Sequence, residues 1–79
     1  MAGKKPWDSR RLRLQGLLRA VRQEAGLSQT ELAERLKGDQ SFVSRYERGE
    51  RRLDLIELEQ IAKACGIELS DLVQRYSRG

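Results

Sequence analysis

The chain has 79 residues, 16 of them Lys or Arg and 12 Asp or Glu, for a formal net charge of +4. That length sets one domain with a small core, and no run approaches the roughly 18 to 20 apolar residues of a membrane span. The single cysteine makes no internal disulfide, and the charged start MAGKKPWDSRR lacks the apolar segment of a secretory signal, so a reducing cytoplasm is expected.

Residues 1–11, with Lys4, Lys5, Arg10, Arg11 and the only proline, read as a basic arm or frayed terminus that continues to Arg13. Trp7 within it stacks on the body, joins a dimer contact or stays free; the sequence does not choose. From residue 12 to about 76 the pattern is helical throughout. In the first helix Leu14, Leu17, Leu18, Val21 and Ala25 recur at helical spacing, with Asp8 or Ser9 as N-cap and Gly26 as the stop.

Ser28 and Glu31 then form S-x-x-E, a capping box in which each side chain satisfies an unpaired backbone N–H. Leu27 and Leu32 supply the hydrophobic staple, and Leu32, Ala33 and Leu36 a short apolar face that ends near Lys37-Gly38. Asp39 is the expected cap of a third helix, with Val43, Tyr46 and part of Phe42 facing inward and Gly49 as a left-handed stop.

The fourth helix repeats the entry device with Leu53, Asp54, Glu57 and Leu58. Leu58, Ile61, Ala62 and Cys65 form its inner stripe before Gly66. A last helix, about 69–76, carries Leu69, Leu72, Val73 and Tyr76. The fold class is therefore all-α, five short helices around one Leu-rich core. Cys65 reads as a buried, inert thiol, because the chain has no second cysteine and no histidine to complete a metal site.

The second and third helices carry the functional signal. Only a few residues join them, which forces a sharp angle and leaves one face of the third helix projecting. That face holds Gln40, Ser41, Ser44, Arg45 and Arg48 rather than the Lys and Glu of an ordinary solvated helix. Gln40 suits the N6/N7 edge of adenine and Arg45 the O6/N7 edge of guanine; Ser41 and Ser44 are short enough to let the backbone come close. Gln29 and Thr30, beside free N–H groups at the start of the second helix, suit a phosphate oxygen. Arg48, Arg51 and Arg52 after the projecting face can clamp neighbouring phosphates. For Arg51 and Arg52 the open alternative is that one pairs with Glu50 or Asp54.

Charge agrees with that placement. Through Arg52 there are 13 basic and 7 acidic residues; from Leu53 onward there are 3 and 5. The basic half is the half with the projecting helix, which points to a polyanion. Without His, paired carboxylates in a cleft or a Gly-rich phosphate loop, no enzyme reading stands, and no cofactor or metal is expected.

Residues 27–73 resemble the phage-repressor/Cro, or XRE-type, helix-turn-helix family, with LSQTELA, VSRYERGER and L-x-x-I-A-x-x-x-G-I as landmarks; with the first helix the resemblance spans about 12–75. It implies a compact five-helix, lambda-repressor-like domain with its motif at about 29–48, and sequence-specific binding to duplex DNA. It also implies a bacterial or phage regulator, a repressor, acting as a homodimer on a pseudo-palindromic operator. Gln29 matches the position that touches phosphate and steadies the first residue of the recognition helix. Gln40, Ser41, Ser44 and Arg45 match the base-reading positions, and Arg22 with Glu47 a partly buried salt bridge. The last helix, with Leu72, Val73 and Tyr76, matches the dimer surface. One departure is Lys37, where the family turn usually has glycine; a lysine there adopts the turn with some strain or shifts the turn slightly. The alternative function on the same fold is an antitoxin or protein-interaction module with DNA binding secondary.

Overall fold

The computed structural model describes residues 6–79, with side chains from Ser9 onward; the expectations for Lys4, Lys5 and the Trp7 side chain fall outside them. Five helices follow in order: α1 (Pro6–Glu24), α2 (Gln29–Arg35), α3 (Gln40–Glu47), α4 (Leu55–Ala64) and α5 (Leu69–Arg78). Helix α1 starts earlier than expected. Its first residue is Pro6, the position where a missing N–H has no helical partner to lose, so Asp8 and Ser9 lie inside the helix rather than capping it.

The entrances of α2, α3 and α4 are those the sequence encodes. Ser28 accepts from Glu31 N at 3.0 Å while Glu31 accepts from Ser28 N at 2.8 Å. Asp54 and Glu57 repeat the exchange at 2.8 and 2.9 Å. Asp39 caps α3 by accepting from Ser41 N at 3.2 Å. Each bond satisfies a donor that the first helical turn leaves unpaired.

The exits of α1 to α4 share one design, in which the residue after the cap turns left-handed and two N–H groups reach back to the last turn. Gly26, Gly49 and Gly66 take that position at φ 75, 79 and 83°. At Gly49 a Cβ would also meet the amide of Gln15, which would have to swing aside. After α2 the left-handed residue is Lys37, at φ 57°. Its N–H bonds Glu34 O at 3.1 Å and the next, Gly38 N–H, bonds Ala33 O at 2.9 Å. The turn thus keeps the geometry of the other exits and the lysine takes the strain.

A left-handed non-glycine residue costs about 1 to 2 kcal/mol, partly offset by the lower chain entropy it has when unfolded. Lys37→Gly is therefore expected to raise stability by about 0.5 to 1 kcal/mol, a rise of a few degrees in Tm by thermal melting. A lower Tm would mean that the lysine side chain contributes a contact outweighing the strain.

Helix α2 packs on α3, α1 against α3 and α5, and α4 against α2 and α5. Leu18, Val21, Leu32, Val43, Tyr46, Ile61 and Leu72 meet at the centre, each at most 2% exposed. Burial of these apolar side chains holds together helices too short to persist alone. Cys65 is also buried, and burial pushes its thiol pKa up, as expected of an inert core thiol. The Tyr46 hydroxyl is enclosed without a hydrogen-bond partner among the described residues, and burial raises its pKa.

Helix α5 runs two residues past its expected end and is tied to α1 at two points. Arg75 grips Glu24 through two bonds of 2.9 Å, which draw the Glu24 carboxyl below its ordinary range. Arg13 stacks on the Tyr76 ring at 4.7 Å and donates to Tyr76 O at 2.5 Å. Arg13 is thus part of the scaffold and not of a solvated arm: it stands on α1 and bonds the Tyr76 carbonyl near the end of α5. Leu72 faces the core at 2% exposure, so of the three residues assigned to a dimer surface it is unavailable, whereas Val73 is 48% exposed.

Candidate nucleic-acid interface

Helix α3 has two unlike sides. Val43, Tyr46 and Glu47 are buried, and Phe42, half-buried, meets Tyr46 edge to face at 5.3 Å. Gln40, Ser41, Arg45 and Arg48 are exposed, with Ser44 half-buried beside them. The stripe is therefore the outer surface of a helix anchored from behind, and short side chains at 41 and 44 leave its backbone open to close approach.

A buried carboxylate organises the inner side. Glu47 is 1% exposed, and Arg22 reaches it from α1 through Nε at 2.7 Å and Nη2 at 3.0 Å, the two-pronged geometry that makes arginine–carboxylate pairs strong. A third Arg22 nitrogen donates to Leu27 O at 2.9 Å, so the guanidinium also stitches the α1–α2 turn. Its bonds to Glu47 are the chief reason its pKa is raised, against the opposing effect of burial. Gln29 donates from Nε2 to Glu47 Oε1 at 3.1 Å and accepts at Oε1 from Gln40 Nε2 at 3.2 Å. The Gln29–Gln40 contact implied by the resemblance is thus present, and it continues inward to Glu47.

Sequence reasoning missed Arg19. It lies three residues before Arg22 on α1, with its Nε 3.7 Å from Glu47 Oε1 and its Nη2 3.4 Å from Glu47 O. Its side chain is 51% exposed, so it adds positive charge beside the carboxyl end of α3. The i, i+3 spacing from Arg22 was the available signal.

The arginines that follow α3 differ in their commitments. Arg51 donates to both oxygens of Glu57, at 2.8 and 3.3 Å, and lies 4.8 Å over the Phe42 ring. Its partner is therefore Glu57, not Glu50 or Asp54, and it braces α3 against the start of α4. Arg48 holds Glu50 through two bonds of 3.1 and 3.0 Å and donates to Ser44 Oγ at 2.6 Å. The Arg48 bonds draw the Glu50 carboxyl below its ordinary range. Among the described residues the guanidiniums of Arg45 and Arg52 have no hydrogen-bond or ion-pair partner, and both residues are exposed. Thr30 is exposed in the first turn of α2, and Gln29 half-buried beside it.

Among the described residues no group of His, Cys, Asp or Glu could hold a metal, and no helix is long and apolar enough to cross a membrane.

A short helix set across a second by a tight turn, with a braced inner side and an open polar outer side, is the architecture of a helix-turn-helix protein. The chain belongs to the XRE-type helix-turn-helix family, whose "Helix-turn-helix" model matches residues 18–72. The family is one of DNA-binding transcriptional regulators.

The chain is similar to the solved XRE-family like protein from Pseudomonas syringae pv. tomato, at 39% identity and TM-score 0.84, over 90% of this chain and 87% of that one. It is similar to the clp gene regulator ClgR from Corynebacterium glutamicum at 26% identity and TM-score 0.77, over 87% and 73%. A hypothetical transcription factor from Neisseria aligns at 28% identity and TM-score 0.75, over 100% and 95%. Among curated proteins none matches the sequence.

Proposed function

We propose that the protein is a sequence-specific regulator of transcription, a repressor, which binds duplex DNA as a homodimer in the cytoplasm of a bacterial or phage-infected cell. The observation that carries this reading is the outer side of α3. It offers an amide, two hydroxyls and a guanidinium without an ion pair on a helix fixed from behind by Val43, Tyr46 and Glu47. Gln40, Ser41, Ser44 and Arg45 read base edges in the major groove. Gln29, Thr30 and Arg52 set the register on the backbone, joined by Arg48 once phosphate replaces Glu50. Arg51, already bound to Glu57, contributes through the scaffold.

A second copy has an apolar surface to meet. Leu55 and Ile56 are about two-thirds exposed at the start of α4, and Val73 half exposed on α5. Val73 and Tyr76 edge an apolar groove with Leu14, Leu58 and Leu69. This same surface is what favours the alternative, a protein-interaction module, which would not need the basic outer side of α3.

Salt dependence separates the two. With Arg48 and Arg52 of each subunit on phosphate, the log–log slope of affinity against salt is expected at about −3.6, a loss of roughly 150-fold between about 50 and 200 mM. Titration of fluorescent mixed-sequence duplex measures it. No binding at the lowest salt would overturn the DNA reading.

A further inference from the structure

Three polar side chains run from the core to the DNA-facing end of α3: Glu47, Gln29 and Gln40, joined by bonds of 3.1 and 3.2 Å. Their chemistry fixes a direction. A carboxylate held by Arg22 only accepts, so Gln29 must turn its NH2 group inward to Glu47. That leaves the Gln29 carbonyl facing Gln40, and Gln40 must in turn give it an N–H. One of the two Gln40 N–H groups is thereby spent inside the protein, while the other, with the carbonyl oxygen, faces outward.

We propose that Glu47 is a positioning residue for base recognition: through Gln29 it commits one Gln40 N–H inward, and so makes Gln40 select adenine over guanine. This rests on the DNA-binding reading above. Adenine offers one donor and one acceptor in the major groove, which a single N–H and a carbonyl complement. Guanine offers two acceptors, O6 and N7; with one N–H committed, Gln40 cannot donate to both, and its carbonyl would oppose O6. An amide without the brace could rotate to meet either base. The Arg22–Glu47 pair already holds α1 to α3, so the bond from Gln29 gives Glu47 a second role.

The test has a readout in the free protein and one on DNA. The double replacement Arg22→Met, Glu47→Leu removes the acceptor and its counter-charge together, which cores tolerate far better than loss of one partner. In the wild-type chain, NMR should find the Gln40 side-chain NH2 protons slowed in exchange and cross-relaxing with Gln29. In the double variant both signals should become those of a free amide. On duplexes selected by the wild-type chain from a random pool, the base pair read by Gln40 is the one whose preference Gln40→Ala abolishes. At that pair the adenine-over-guanine preference of the double variant should fall about fivefold or more. At the pair read by Arg45 its preference should stay within about twofold.

Gln29→Met, which leaves the Arg22–Glu47 pair in place, should weaken binding to all duplexes through its lost phosphate contact and, beyond that, lose the adenine preference at the Gln40 pair alone; it decides the matter if the double variant melts. Unchanged amide signals, or an equal loss at every pair, would overturn the proposal. A wild-type chain that selects no duplex would instead overturn the DNA reading and with it the base preference. Slowed amide protons in that chain would leave the brace itself standing.

Discussion

Replacing Glu47 with alanine is expected to cost on the order of 3 to 5 kcal/mol and to move unfolding to much lower urea and temperature. The size follows from what the carboxylate holds. Arg22, whose side chain is 11% exposed, reaches it with two nitrogens, and Gln29 donates to it as well. Alanine would strand the guanidinium in the interior, where its charge has no compensation. A 79-residue domain has about 4 to 12 kcal/mol in total at about 0.05 to 0.15 kcal/mol per residue, so this one change removes a large part of it. Urea unfolding by circular dichroism measures the loss. Arg22→Met together with Glu47→Leu should recover most of it, since an apolar pair has no desolvated charge to satisfy. A cost below about 1 kcal/mol for Glu47→Ala would mean that water reaches the pair and the burial argument is wrong.

The second large effect concerns recognition rather than folding. Arg45→Ala is expected to weaken discrimination at one or two base pairs by about 1 to 3 kcal/mol, the worth of a two-pronged contact to guanine. Because Arg45 is exposed and its guanidinium has no partner among the described residues, stability should stay within about 0.5 kcal/mol of wild type. Binding to duplexes substituted one pair at a time reads the effect. A uniform loss across all of them, with a shallower salt slope, would make Arg45 a phosphate contact instead. Contrast with Arg51 is instructive: its alanine variant should act mainly on stability, through Glu57 and the Phe42 ring.

The parts of this fold that are local in sequence were legible in it. Capping boxes at Ser28 and Asp54, the cap at Asp39 and the glycine stops at 26, 49 and 66 depend only on backbone groups a few residues away, so residue type and spacing declare them. At Lys37 the sequence left two outcomes, a strained left-handed lysine or a shifted turn, and the structure has the first. Contacts between distant residues were less legible. Arg22–Glu47 and Gln29–Gln40 came from the family resemblance; no spacing rule links residues 25 or 11 apart.

Where sequence reasoning failed, one group served two purposes or a helix angle decided. Glu57 seemed used by its capping box, yet it also takes Arg51. Arg13 seemed to belong to a basic arm, yet α1 begins at Pro6 and carries it to the end of α5. Leu72 and Val73 are adjacent on an apolar stretch, and only the packing of α5 decided that the first is buried and the second exposed. Arg19 has the sequence context of an ordinary solvated helix residue, and its place beside Glu47 depends on how α1 crosses α3.

Selection of duplexes from a random pool by the whole chain tests the central claim most directly. The account predicts enrichment of two related half-sites in inverted repeat, their centres about one helical turn apart. Each should hold an adenine position that loses its preference with Gln40→Ala and a guanine position that loses it with Arg45→Ala. A pool returned without enrichment, or an enriched site indifferent to both substitutions, would contradict the assignment of α3 as the reading helix.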